Sequence, residues 1–345
     1  MGLNTDIVFP AEWAEQDAIM LTWPNSGTDW AENLDEAENT YISMATEILK
    51  YQKLLIVCNN IPHVRQFFPI GQQQNIRIYE LPYNDTWARD HGPIATIGKG
   101  KFHINDFGFN GWGNKFDASL DNLITEGLFN QNAFRPEVRY NNLRDFILEG
   151  GSIESDGNGT ILTTSACLLN PNRNPWFSKT DIELKLAEVL GTQRILWLNH
   201  GHLEGDDTDS HIDTLARFCN ENTIAYVKCP NSSDTHFEDL ALMEAQLRTF
   251  TRLNGGPYRL VPLPMVSPIC NQEGERMGAT YANFLIINKA VLVPVYGVPE
   301  DNLALEILSG VFPDREIVGI NCLPLIKQNG SLHCITMQIP KGLLS

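Results

Sequence analysis

Short runs of apolar, β-branched residues punctuate the chain at positions 18–23, 54–58, 76–81, 159–163, 195–198, 223–228, 258–263, 284–288 and 290–295. Several are apolar without alternation, the pattern of strands buried on both faces. Between them lie stretches with apolar residues at helical spacing, at 34–50, 181–190, 236–254 and 302–308. In the second of these, Ile182, Leu184, Leu186 and Leu190 fall near one stripe, and Thr180 stands where an N-cap is expected. Strands alternating with helices predict an α/β protein. Asp156-Gly157-Asn158-Gly159 between apolar flanks predicts a hairpin. Asn254-Gly255-Gly256-Pro257 predicts a helix stop. With neither a low-complexity segment nor a linker, residues 1–345 are expected to form one domain.

Charge narrows the partners. The net charge is -17, and Lys and Arg form no dense run, which excludes the basic footprint of a nucleic-acid binder. A strongly negative field favours encounter with a cationic small molecule, although many acidic proteins are acidic for solubility alone. No apolar stretch approaches the roughly 20 residues of a membrane span. Residues 1–15 lack a basic region followed by an apolar run, so no secretory signal is expected and the cytoplasm is the default. Met1-Gly2 opens like a myristoylation site, but Asp6 stands where Ser or Thr is required. The seven cysteines contain no C-x-x-C pair, which argues against a disulfide framework and a structural zinc site. Most should be buried small hydrophobes, with one or two chemically special at most.

Four segments concentrate residues that are costly to bury or to hold. Asn84-Asp85-Thr86-Trp87-Ala88-Arg89-Asp90-His91-Gly92-Pro93 follows a strand, where α/β folds commonly present ligands; a solvated loop is the plain alternative. Glu149 sits inside an otherwise apolar strand pattern and needs a partner if buried. Gly150 and Gly151 after it allow a ligand or another backbone to come close. Asp207, Asp209, His211 and Asp213 alternate like the start of a calcium loop, but the sharp-turn Gly and the closing Glu of an EF-hand are missing. On an extended segment His211 and Asp213 would point the same way, toward one site. Finally, Gly330 leads a turn that delivers Cys334 to the start of an apolar strand, with His333 expected to point away from it. A lone Cys is usually inert core; a reactive one needs nearby positive charge, which a bound guanidinium could itself supply.

Spacing adds a hint of repetition. Asp90 to Glu149 is 59 residues, Glu149 to His211 is 62, and His211 to Cys334 is 123, about twice that interval. Five repeats of about 69 residues would fill the chain, each sending a residue to a common centre.

Together these residues resemble the agmatine deiminase and bacterial peptidylarginine deiminase family of the guanidino-group-modifying superfamily. The resemblance runs from Phe9-Pro10-Ala11-Glu12-Trp13 and Trp23-Pro24 through Asn84 to Pro93 and Phe109-Asn110-Gly111-Trp112-Gly113-Asn114-Lys115. It continues through Leu148-Glu149-Gly150-Gly151-Ser152, Leu168-Leu169-Asn170-Pro171-Asn172-Arg173-Asn174-Pro175, His211-x-Asp213 and Tyr281-Ala282-Asn283-Phe284 to His333-Cys334. It implies a five-bladed α/β propeller (pentein) with a central active site and neither metal nor cofactor. By resemblance Cys334 is the nucleophile and His211 the general acid and base. Asp90 and Asp213 clamp the guanidinium, and Glu149 is the carboxylate near His211. Two carboxylates in the plane of a guanidinium can each grip it bidentately and orient its carbon for attack. Agmatine is the expected substrate, with Asp207 at the mouth for its distal amine, Asp209 behind it, and Trp87 and Trp112 as walls. Peptidyl or free arginine is the alternative, and a catalytically silent propeller acting as a binding protein is the alternative of another class. Ser210, where relatives commonly carry Gly, is expected to narrow the mouth. A homodimer is left open.

Overall fold

The computed structural model describes residues 6–344; Met1 and Gly2 lie outside them. The described residues form five small sheets. Each is built the same way, from an antiparallel strand pair followed, after a helical crossover, by a parallel partner. In the first sheet Ile94–Gly98 pairs antiparallel with Lys101–Gly108, which pairs parallel with Arg139–Ile147; Ile7–Val8 adds an edge. The second joins Ile153–Ser155, Thr160–Thr164 and Arg194–Leu198, the third Ala216–Asn220, Thr223–Lys228 and Arg259–Pro264. The fourth joins Leu285–Ile286, Ala290–Val295 and Glu316–Asn321. The fifth unites distant parts of the chain: Thr336–Pro340 pairs antiparallel with Gln16–Thr22, which pairs parallel with Lys53–Cys58 and onward to Ile76–Glu80. The crossover helices are Leu34–Ile48, Ile124–Asn130, Lys179–Leu190, Phe237–Leu247 and Glu300–Val311.

The α/β expectation therefore holds, and so does the reading of unalternating runs as doubly buried strands. Ala18 to Leu21, Leu54 to Val57 and Ala290 to Val293 are all fully buried. Burial at roughly 1.5–3 kcal/mol per large aliphatic side chain makes these central strands the main source of stability. The hairpin at Asp156 to Gly159 is present, joining Ile153–Ser155 to Thr160–Thr164. Of the seven cysteines only Cys270 is exposed. No helix among the described residues is long and apolar enough to cross a membrane.

Three local expectations need correcting. The helix Lys179–Leu190 is capped by Ser178, not Thr180: Ser178 and Asp181 form a reciprocal capping box, which satisfies two otherwise orphaned N–H groups. Phe237–Leu247 ends well before Asn254, because the Thr249 hydroxyl turns back onto the Gln246 carbonyl and Thr251 bridges to Pro257. Glu149 is not inside a strand but just past one, capping the short 3-10 turn Gly150–Ser152.

Candidate active site

Five turns, one leading into the first strand of each repeated strand pair, carry the chemistry. Asp90 sits in the turn Ala88–His91 before Ile94–Gly98, and Glu149 to Gly151 precede Ile153–Ser155. His211 and Asp213 precede Ala216–Asn220, Asn283 precedes Leu285–Ile286, and Cys334 precedes Thr336–Pro340. Asn283 thus occupies the position that the doubled interval between His211 and Cys334 leaves blank. The five turns therefore repeat a place in the chain as well as a shape.

Gly151 marks where they meet. A Cβ placed on it would lie 2.6 Å from His211 Nδ1, 2.9 Å from Asp90 Oδ1 and 3.2 Å from Asp213 Oδ2. His211 and Asp213 converge as expected, but through a 3-10 turn over Ile212–Thr214 rather than an extended segment. The Asp90 carboxylate is held at both ends, by the Gly151 N–H at 2.9 Å and the Trp112 indole N–H at 2.9 Å. Asp213 Oδ2 is 2.7 Å from His333 Nδ1, while its Oδ1 is buried with no partner. An unpaired buried carboxylate oxygen is expensive, and a guanidinium N–H is the donor that would satisfy it.

Cys334 is buried beside them, its Sγ 3.4 Å from Asn283 Oδ1. Burial, then the charges of Asp213 and Asp90, push its thiol well above the ordinary range. Burial alone would lower the pKa of His211, but Asp90, Cys167 and Glu149 outweigh it and hold the imidazole well above its usual value. Burial would raise Glu149, yet His211 and Arg173 keep it below the usual range; the Arg173 Nε donates to its two oxygens at 2.9 and 2.8 Å. His211 Nε2 stands 3.8 Å from Glu149, beyond hydrogen-bond reach.

A buried ionic layer lies behind Asp213. His333 does point away from the cup, as expected, and so bridges two carboxylates: Asp213 at 2.7 Å and Glu12 at 2.7 Å. Glu12 and Glu154 both pair with Arg217, itself fully buried and donating to the carbonyls of Ala282 and Phe284. Sequence reasoning missed Glu154 and Arg217, and gave no role to Glu12, Arg173 and Asn283, although these three stand in the motifs that carry the resemblance. Arg217 offered the same signal as Glu149, a charge inside the apolar run of Ala216–Asn220.

A cleft that encloses about 660 Å³, its open mouth included, lies over Cys334 and Asp90. Trp87 and Trp112 line it, edge to face with centroids 6.3 Å apart. Trp112 adopts φ 55° and ψ 47°, a left-handed conformation that costs energy for a bulky residue and aims its indole at Asp90. Gly330 is needed opposite: a Cβ there would come within 2.0 Å of the Trp87 ring. Asp29, Asp85, Asp206 and Asp207 also line the cavity, and among the described residues neither Lys nor Arg does. Burial, then Asp206, raise Asp207 to about 6; burial raises Asp85 to about 6.

Asp209 does not join this wall. Its carboxylate is taken by Arg173 at 2.6 Å and Lys115 at 2.9 Å, which brace the loop from behind. Nor does Asp206 turn to a common cation, since its oxygens accept from Thr208 and the Ser210 N–H. Ser210 lies outside the lining as well, so it does not narrow the mouth. It has φ 65°, a conformation that favours glycine.

Residues 8–340 match the Porphyromonas-type peptidyl-arginine deiminase family. A candidate arginine deiminase from Porphyromonas gingivalis superposes with a TM-score of 0.95 at 51% identity, over 98% of this chain and 100% of that one. A cysteine-to-serine variant of C. jejuni agmatine deiminase with substrate bound superposes with a TM-score of 0.90 at 39% identity, over 98% and 97%. A candidate agmatine deiminase from Lactococcus lactis is 32% identical over 352 aligned positions, covering 96% of this chain and 95% of the relative.

Proposed function

Because the chain belongs to the Porphyromonas-type peptidyl-arginine deiminase family, and its agmatine deiminase relatives make it an enzyme of guanidino groups, we propose that it hydrolyses agmatine to N-carbamoylputrescine and ammonia. The observation that carries this reading is the convergence of His211, Asp90 and Asp213 on the space above Gly151, beside Cys334. The five similar sheets, each led by a turn bearing a site residue, support a five-bladed propeller around this centre.

The chemistry follows from the charges. Asp90 and the free Oδ1 of Asp213 take the planar guanidinium, whose positive charge offsets the two carboxylates that hold the Cys334 thiol up. The thiol then gives up its proton to solvent and the sulfur adds to the guanidinium carbon. His211, kept protonated by Asp90, Cys167 and Glu149, donates to the departing nitrogen. Ammonia leaves, and a thiouronium remains on Cys334. Water next attacks the same carbon, His211 takes one of its protons, and the carbon–sulfur bond breaks as the other returns to sulfur, releasing the urea. No step in this sequence calls on a metal or a cofactor. The role of Glu149 is to hold His211 in its charged form.

Asp29, Asp85 and Asp207 on the cavity wall, which no Lys or Arg lines among the described residues, support a substrate that ends in an amine. Asp207 is the amine's partner in this reading, with Asp85 beside the Trp87 wall. The product would feed putrescine formation in polyamine biosynthesis, in the cytoplasm. A second reading, hydrolysis of free or peptidyl arginine, draws on the family's description and on the 51% identity to the P. gingivalis protein. It needs a cation for the substrate's carboxylate, which the wall does not offer.

The deciding experiment measures ureido product and ammonia with agmatine, free arginine and an arginine-terminated peptide, beside a Cys334→Ala control. Turnover of agmatine alone, lost in the control, supports the proposal. Turnover of the arginine compounds alone keeps the mechanism and overturns the role given to Asp207. Silence on all three revives the binding-protein alternative.

A further inference from the structure

A second thiol stands behind the imidazole. Cys167 follows the strand Thr160–Thr164, in the turn Ser165–Leu168, and is fully buried. Its Sγ is 3.8 Å from Glu149 Oε2, which is itself 3.8 Å from His211 Nε2, and the three donor atoms lie within 4.8 Å of one another. His211 Nε2 is buried, faces this group, and has no hydrogen-bond partner. The mechanism above assigns Cys167 no chemical step.

We propose that Cys167, Glu149 and His211 form a binding site for a thiophilic divalent cation, and that Zn²⁺ bound there switches the enzyme off. Sulfur, imidazole nitrogen and carboxylate oxygen are the donor set that zinc takes, at about 2.3, 2.0 and 2.0–2.2 Å. A tetrahedral ion with those bonds separates its donors by roughly 3.3–3.6 Å. The 3.8 Å spacings are a few tenths of an ångström wider, a contraction within the reach of side-chain rotation. Arg173 takes one lone pair from each Glu149 oxygen and leaves the other pair on each open.

The second cluster of ligand-type residues, Glu12, Glu154 and His333, differs because Arg217 already fills it. Arg173 also binds here, but it takes Glu149 alone of the three, whereas Arg217 contacts all of Glu12, Glu154 and His333.

Binding converts the Cys167 thiol to a metal-bound thiolate and releases its proton. It also takes Nε2 and displaces the proton that the charged imidazole carries there, so His211 keeps at most the proton on Nδ1. An imidazole in that state cannot be doubly protonated. In the proposed mechanism, on which this consequence rests, it can then neither protonate the leaving nitrogen nor accept from water.

Cobalt(II) added to metal-stripped full-length protein tests the site independently of turnover. A thiolate-to-cobalt charge-transfer band should appear in the wild type and in Cys334→Ser, and vanish in both Cys167→Ser and Cys167→Ala. In parallel, Zn²⁺ should inhibit the wild type reversibly, with chelator restoring the rate. For each Cys167 variant, scaled to its own metal-free rate, inhibition should need at least about tenfold more Zn²⁺. A band lost in Cys334→Ser and kept in Cys167→Ser would move the metal to the nucleophile and overturn the proposal. No band in the wild type overturns it too. Absence of agmatine turnover in the wild type counts against the deiminase reading alone, since the cobalt spectra still decide the site.

Discussion

At buried Gly151, one added methyl group tests the whole proposed clamp. Its backbone does not lie in the left-handed region, so Gly151→Ala should cause no backbone strain. The effect comes from space. The new Cβ would sit 2.6 Å from His211 Nδ1 and 2.9 Å from Asp90 Oδ1, against an ordinary contact that begins at 3.4 Å. The imidazole must therefore retreat by 0.8 Å, the carboxylate by 0.5 Å, or the two must share the shift with Gly151. A misplacement of about 1 Å in a reacting array costs on the order of a hundredfold in rate. We expect kcat on agmatine to fall by about a hundredfold or more. Overpacking should cost about 1–3 kcal/mol, which for a chain of this length lowers Tm by about 2–4 °C. Initial-rate measurement of ureido product, with a thermal melt of the same sample, gives both numbers. A folded Gly151→Ala protein with kcat within about threefold of wild type would refute the clamp as described.

Other expectations follow from the same geometry. His333→Ala removes the bridge between Asp213 and Glu12 and leaves two buried carboxylates facing each other; agmatine KM should rise steeply and stability fall by about 3–5 kcal/mol, read by titration calorimetry and denaturant melts. Asp207 and Asp85 both titrate near 6, so agmatine KM should climb as pH falls through about 6, and Asp207→Asn should flatten that rise. The stability sign is opposite: a carboxylate whose folded pKa is raised favours the folded state when protonated, so these two groups add stability as pH drops from about 7 to 5. Ser210→Gly relieves the positive φ and should stabilise the protein by about 1 kcal/mol, with KM unchanged because Ser210 does not line the cavity; a shifted KM would restore it to the mouth.

What could be read in the sequence follows from which interactions are local. Doubly buried strands announce themselves as apolar runs, so 223–228 and 290–295 were legible to the residue. Lys101–Gly108 and Arg139–Ile147 were not, because their polar faces break any alternation and their pairing depends on partners far along the chain. Glu149 stood out as a charge among apolar neighbours, yet Arg217, with the same signature, passed unremarked. Asn283 carries no charge and so no warning; its signal was an interval of double length. Asp209 was legible as an acid but not as a spoken-for one, since Arg173 and Lys115 reach it from 36 and 94 residues away.

The pairing of Thr336–Pro340 with Gln16–Thr22 joins segments more than 300 residues apart and sets Cys334 in the cup. Contacts of such separation form late, because a very long loop must close before they repay its entropy. During synthesis, Asp90, Glu149, His211 and Asp213 all leave the ribosome before the sulfur does. The nascent chain can thus bring out Asp90, Glu149 and His211 while it still lacks both Cys334 and His333, the partner that holds Asp213. In the proposed reading, competence is a timed event, in which one late segment brings the thiol and the support of Asp213 together.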